Sequence, residues 1–206
     1  MKLTKRIALL AAATLLFSMP GSSSQRLDEV IESITAPEAQ EEIITPEEVV
    51  VEPEPRWLGR NFTEEEQIVL SFLQDRGITD RAALATILGN IRQESRFNTL
   101  VCEGGINTGY HGCHRGGFGL IQWTTVGRYN GLGSFATKYG LDPNKLTTQL
   151  RYMVNENQWV SNQHVWQTPG KSIDGYMNAA YRWLGWGIHG ARTTYAHQYY
   201  AALYML

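Results

Sequence analysis

Leu84, Ile87, Leu88 and Ile91 recur at i, i+3, i+4 and i+7, the spacing of one buried helix face. The segment opens near Thr79 or Asp80 and runs to about Glu94, where a carboxylate continues the apolar stripe. Before it, "NFTEEEQIVLSFLQDRGI" predicts a helix with both ends marked. Thr63 and Glu66 form a capping box, and Gly77 suits the position past the end. After it, "NTLVCEGGINTGYHGCHRGGFG" holds seven glycines and predicts a long irregular loop with a short hairpin. The chain then predicts a short helix at Leu120 and a helix over Gly127 to Tyr139. A further helix follows, with Leu146, Leu150, Met153 and Val154 inward. Another is capped by Ser172 and runs through "IDGYMNAAYRWL", and the last lies in "GARTTYAHQYYAALYML". No strand pattern recurs, so the fold class is mostly α.

Composition divides the chain in three. Residues 1–25 carry Lys2, Lys5 and Arg6, then "IALLAAATLLF", then small polar residues, the order of a secretory signal peptide. The apolar run is short for a span of roughly 20 residues, so an uncleaved membrane tether is the alternative. Residues 26–56 hold ten of the twenty acidic residues and four of the seven prolines, a self-repelling composition that predicts a disordered linker. Residues 57–206 contain 21 of the 22 aromatics and suit one compact domain. This part carries thirteen Lys/Arg against ten Asp/Glu, a balance too mild to indicate nucleic acid. Cys102 and Cys113 are the two cysteines of the chain. In an exported chain they favour a disulfide. His111 and His114 add a metal alternative, which their crowded spacing disfavours, and free thiols complete the possibilities.

Glu94 invites a chemical reading. Its helical neighbours at i±3 and i±4 are Asn90, Ile91, Phe97 and Asn98, none of them basic. A carboxylate near a helix C-terminus is disfavoured by the dipole, and apolar surroundings disfavour the charge further. Both effects raise the pKa, as a general acid requires. The competing expectation is a distant Arg or Lys partner.

"GNIRQESRFN" followed by "GGFGLIQWT" resembles the phage tail lysozyme family, related in fold to goose-type lysozymes and lytic transglycosylases. Glu94 and Ser95 match the Glu-Ser pair that ends a helix in such enzymes, and Gly119 to Gln122 match the Gly-Leu-[Ile/Met]-Gln motif. The likeness continues in "TTQLRYMVNE" and "ARTTYAHQYY", from about Phe62 to Tyr200.

The resemblance implies a lysozyme-like helical domain that cleaves peptidoglycan between N-acetylmuramic acid and N-acetylglucosamine. Glu94 would be the acid, Gln122 would hydrogen-bond the sugar, and Ser95 would hold substrate or Glu94. Trp123 and Tyr110 would offer stacking faces, whereas Phe118 reads as packing. Tyr181 lies where transglycosylases carry a tyrosine. No metal or organic cofactor is implied. The expected partner is peptidoglycan, the domain reads as a monomer, and membrane contact is limited to an uncleaved N-terminus. The expected location is secreted or periplasmic, with a virion-associated form as the alternative.

The chain departs from the family pattern at two points. "YRWLGWGIHG" lacks the acidic residue often found before the last helix, and Glu103 is the one carboxylate between Ser95 and Leu141. Glycosidases usually need two carboxylates. Glu103 is therefore the candidate second one, with single-acid chemistry as the alternative. The rival function classes are a wall-binding module without activity and a virion structural protein.

Overall fold

The computed structural model describes residues 55–114 and 116–205. The signal and almost all of the linker expected from the sequence lie outside the described residues. Arg56 is described: it pairs with Asp75 at 2.8 Å and donates to the Ser71 carbonyl, so it belongs to the folded part.

Among the described residues the chain forms strand β1 (Trp57–Gly59), then helices α1 (Glu64–Gln74) and α2 (Arg81–Ser95). A hairpin of β2 (Val101–Cys102) and β3 (Ile106–Asn107) and one turn of 3-10 helix at Tyr110–Gly112 follow. Helices α3 (Val126–Tyr139), α4 (Leu146–Met153), α5 (Asn157–Val160), α6 (Gln163–Gln167), α7 (Ile173–Leu184) and α8 (Arg192–Ala202) lead to β4 (Leu203–Met205). No helix among the described residues is long and apolar enough to cross a membrane.

The helix starts follow from their capping chemistry. Thr63 accepts from the Glu66 N–H at 3.2 Å while Glu66 accepts from the Thr63 N–H at 2.9 Å, so both halves of the capping box form. Asp80 accepts from Ala82 and Ala83, and Ser172 from Gly175. Every residue from Ala82 to Ile91 is buried, so α2 runs through the core rather than along its surface. Gly89 permits this: a Cβ there would lie 2.5 Å from the Ala196 nitrogen of α8.

Three expectations need correction. Leu120 lies in a turn, not a helix, because Gln122 takes φ 52° and Gly119 φ 71°. The last helix ends at Ala202, and Leu203–Met205 pair antiparallel with β1, joining the two ends of the domain. α5 and α6 were not expected; each is short and buries one tryptophan. Trp159 and Trp166 meet Trp183 of α7 edge to face, at 5.0 and 6.2 Å between centroids.

Cys102 and Cys113 form a disulfide with a Cα separation of 5.5 Å, closing the glycine-rich loop over Phe118. Its loss should lower stability by on the order of 3 kcal/mol, or roughly 5–10 °C in the unfolding midpoint. Calorimetry with and without reductant measures this; an unmoved midpoint after confirmed reduction would contradict it.

Candidate functional site

The site forms where the C-terminal end of α2 meets the start of α8 and the turn after the hairpin. Glu94 points at Arg192, whose Nη2 lies 2.6 Å from Oε1, with side-chain exposures of 15% and 6%. The sequence therefore showed no local partner, but the fold supplies a distant one from the last helix. The Arg192 guanidinium also approaches Asn90 Oδ1 at 3.4 Å and stacks 4.5 Å over the Trp186 ring. Trp186 thus gives the acid-free "GWG" stretch a structural role: it covers the arginine that faces Glu94.

Two opposing effects act on the Glu94 carboxyl. Burial pushes its pKa above the ordinary value; Arg192, and more weakly Arg128, pull it down. Burial prevails, so the proton is held more tightly than in a free carboxyl. Burial likewise pushes the Arg192 pKa down, opposed by Glu94.

Ser95 carries the link to the second motif. Its hydroxyl donates to the Leu120 carbonyl at 2.7 Å, which fastens the end of α2 to the Gly119–Gln122 turn. Gln122 donates its amide hydrogens to the Gly119 and Val101 carbonyls, at 3.0 and 3.3 Å. The Gln122 Oε1 lies beside Gly117, where a Cβ would come within 2.9 Å of it. The turn rests on Gln149, a fully buried residue that the sequence did not single out. Its Oε1 accepts from the Leu120 N–H at 2.8 Å and its Nε2 donates to the Thr99 and Pro143 carbonyls. Gly119 must be glycine twice over: its φ is left-handed, and a Cβ would lie 2.6 Å from Gln149 Oε1.

The remaining candidates separate. Trp123 is fully buried, its indole N–H reaching Glu156 at 3.3 Å, so no face is open for sugar stacking. Tyr110 is 8% exposed and stacked on Tyr129 at 4.4 Å, which removes it from the same role. Both expectations fail because these aromatics pack the core. Phe118 is buried, as expected. Tyr181 is 55% exposed, with its ring edge on Trp186 at 5.2 Å. Glu103 is exposed at the bend of the hairpin, its carboxylate lying over Gly116. No hydrogen bond or ion pair joins it to Glu94 among the described residues.

A second carboxylate went unnoticed in the sequence. Glu156 is buried and takes a two-pronged contact from Arg128, Nε to Oε2 at 2.9 Å and Nη2 to Oε1 at 2.6 Å. With the Trp123 N–H also on Oε2, this carboxylate is fully engaged and acts as a strut. Its spacing in the sequence carries no signal of that role, since Arg128 lies on a separate helix. Among the described residues no cluster of three His, Cys, Asp or Glu is placed to hold a metal ion.

The phage tail lysozyme family matches residues 64–203. Morphogenesis protein 1 of Bacillus phage B103 is 29% identical over 106 residues, covering 50% of this chain and 27% of that protein. The shared region is thus a minor part of the relative's length. No solved structure matches the chain.

Proposed function

Because this chain belongs to the phage tail lysozyme family, we propose that its helical domain cleaves the β-1,4 bond between N-acetylmuramic acid and N-acetylglucosamine in peptidoglycan. The observation that carries this reading is Glu94: a largely buried carboxyl, with its pKa raised, at a helix end fastened to the Gly119–Gln122 turn.

In the proposed reaction Glu94 gives its proton to the glycosidic oxygen as the bond to the anomeric carbon breaks. The leaving sugar departs as a neutral alcohol. The electron-poor anomeric carbon then accepts either a water oxygen or the C6 hydroxyl of the same sugar. The first leaves a reducing end, the second a 1,6-anhydro end, and each nucleophile loses one proton. That proton returns to the Glu94 carboxylate, or goes to Glu103 where Glu103 serves as base. Arg192 holds the carboxylate in one orientation and stabilises its charge after transfer. Gln122 has its amide hydrogens engaged, so it would meet the sugar through Oε1, as acceptor for an acetamido N–H. Tyr181 is the exposed aromatic that suits sugar stacking beside Trp186.

A virion-associated location is supported by the family and by the relative's name as a phage morphogenesis protein. Export through residues 1–25 rests on the N-terminal sequence pattern.

The test is incubation of the chain with purified peptidoglycan and mass spectrometry of the soluble products. Muropeptides should appear, and their reducing or anhydro ends identify the nucleophile. Wall binding without any release would leave an inactive wall-binding module in place of the enzyme. Arg192→Met supplies a second check. Arg192 lowers the Glu94 pKa, so its removal should move the alkaline limb of the pH–activity profile upward. An unmoved limb would take Arg192 out of the acid's environment.

A further inference from the structure

Across α2 from Glu94 lies a cavity of about 580 Å³ whose lining includes Arg60, Arg92, Arg96, Phe97, Tyr195 and Gln198. Arg92 stands two positions before Glu94 on α2, which places the two on opposite faces, roughly 200° apart at 3.6 residues per turn. The cavity is therefore separate from the proposed catalytic groups. Three guanidiniums face it against one carboxylate, Glu66. That carboxylate is already engaged by the Thr63 N–H and the Tyr199 hydroxyl.

The cations are unevenly committed. Arg92 is held in place, donating to Gln198 at 3.0 Å and stacking 4.3 Å over Tyr195. Arg60 and Arg96 are exposed; Arg60 lies over the Tyr204 ring at 5.4 Å, and among the described residues neither side chain has an ion pair or a hydrogen bond. Backbone strain gathers here too. Of the non-glycine residues with left-handed backbone, Asn61, Arg96 and Phe97 all line this cavity, at φ 58°, 54° and 65°. Such conformations persist where the surroundings enforce them, and they collect at ligand sites. Arg96 and Phe97 also line an adjoining cavity of about 420 Å³ toward Leu100, so the cleft is elongated; that extension adds the exposed Glu65, leaving three guanidiniums against two carboxylates over its whole length.

We propose that this cleft binds a short peptide bearing a free carboxylate: the stem peptide of peptidoglycan, a choice of ligand that rests on the function proposed above. Guanidiniums pair with carboxylates through paired N–H donors. The other lining groups narrow the choice. Asn61, Thr63 and Gln198 can both donate and accept, which matches peptide amides, whereas a phosphodiester backbone offers acceptors alone. The cleft thus gives the domain a second hold on the wall, away from the sugar chain being cut.

The experiment uses the whole chain and a sugar-free probe, a fluorescein-labelled Ala–Glu–Lys–Ala peptide with free carboxylates, read by fluorescence anisotropy. Binding should weaken at least tenfold in the Arg60→Gln/Arg96→Gln double variant, on amidation of the peptide carboxylates, and at high salt. Glu94→Gln should bind the peptide as the native chain does. Undetectable binding, equal binding by the double variant, or preference for poly(glycerol phosphate) would each overturn the proposal. Because the probe contains no glycosidic bond, the outcome is independent of turnover. Wall cleavage without peptide binding refutes this site alone; peptide binding without wall cleavage refutes the glycosidase alone.

Discussion

Glu94→Gln should lower release of muropeptides by about 10²–10⁴-fold, the range typical of a lost general acid. Gln keeps the shape of the side chain and an oxygen to accept from Arg192, so the fold should persist. Two pH measurements sharpen the expectation. In the native protein, activity should fall as pH rises through the raised Glu94 pKa, because the acid must carry its proton. Stability should follow the same group. Glu94 binds its proton more tightly folded than unfolded, so its contribution is fully present below the unfolded carboxyl pKa. That contribution is lost as pH rises through the folded value. Gln cannot ionise, and the pH dependence of the unfolding midpoint in that window should flatten. Activity of the variant within threefold of the native chain would remove Glu94 from the chemistry.

What the sequence made legible was local. The caps at Thr63, Asp80 and Ser172 depend on residues three or fewer positions away, and the hairpin follows from glycines and turn residues in one stretch. Glu94 stood out because a charge broke a regular apolar stripe. The elements that escaped depend on distant partners. Leu203–Met205 reads as a continuation of the preceding helix and becomes a strand only because β1 lies beside it. Arg192 and Gln149 look like ordinary polar helix residues until the fold brings Glu94 to one and the Leu120 N–H to the other. Trp123 and Tyr110 read equally as packing or ligand groups in the sequence, because aromatic side chains serve both packing and sugar contact. Burial distinguishes these roles, and burial is a tertiary property. The same holds for the arginine-lined cleft, whose residues come from both ends of the domain.

Gly89→Val should destabilise the domain by about 3 kcal/mol or more, because the new side chain meets backbone rather than a movable side chain. Its Cβ would sit 2.5 Å from the Ala196 nitrogen and 2.8 Å from the Ala196 Cα. Neither atom can yield without moving α8. Gly89→Ala adds the same Cβ and meets the same backbone, so it should also destabilise, but by less than valine because it lacks the two γ-methyls and gains up to about 1 kcal/mol of helix propensity over glycine. The unfolding midpoint of the valine variant should fall by on the order of 10 °C. A functional consequence follows from the same geometry. Arg192 opens the helix that Gly89 allows to approach, so pushing α8 away also draws the guanidinium from Glu94. In the folded population, measured well below the midpoint, the alkaline limb of the activity profile should therefore move upward. That is the direction expected for Arg192→Met, although the Arg192 side chain itself is unchanged. A lower midpoint with an unmoved limb would mean that the crossing serves packing alone. A midpoint within about 2 °C of the native one would show that the helices separate at little cost.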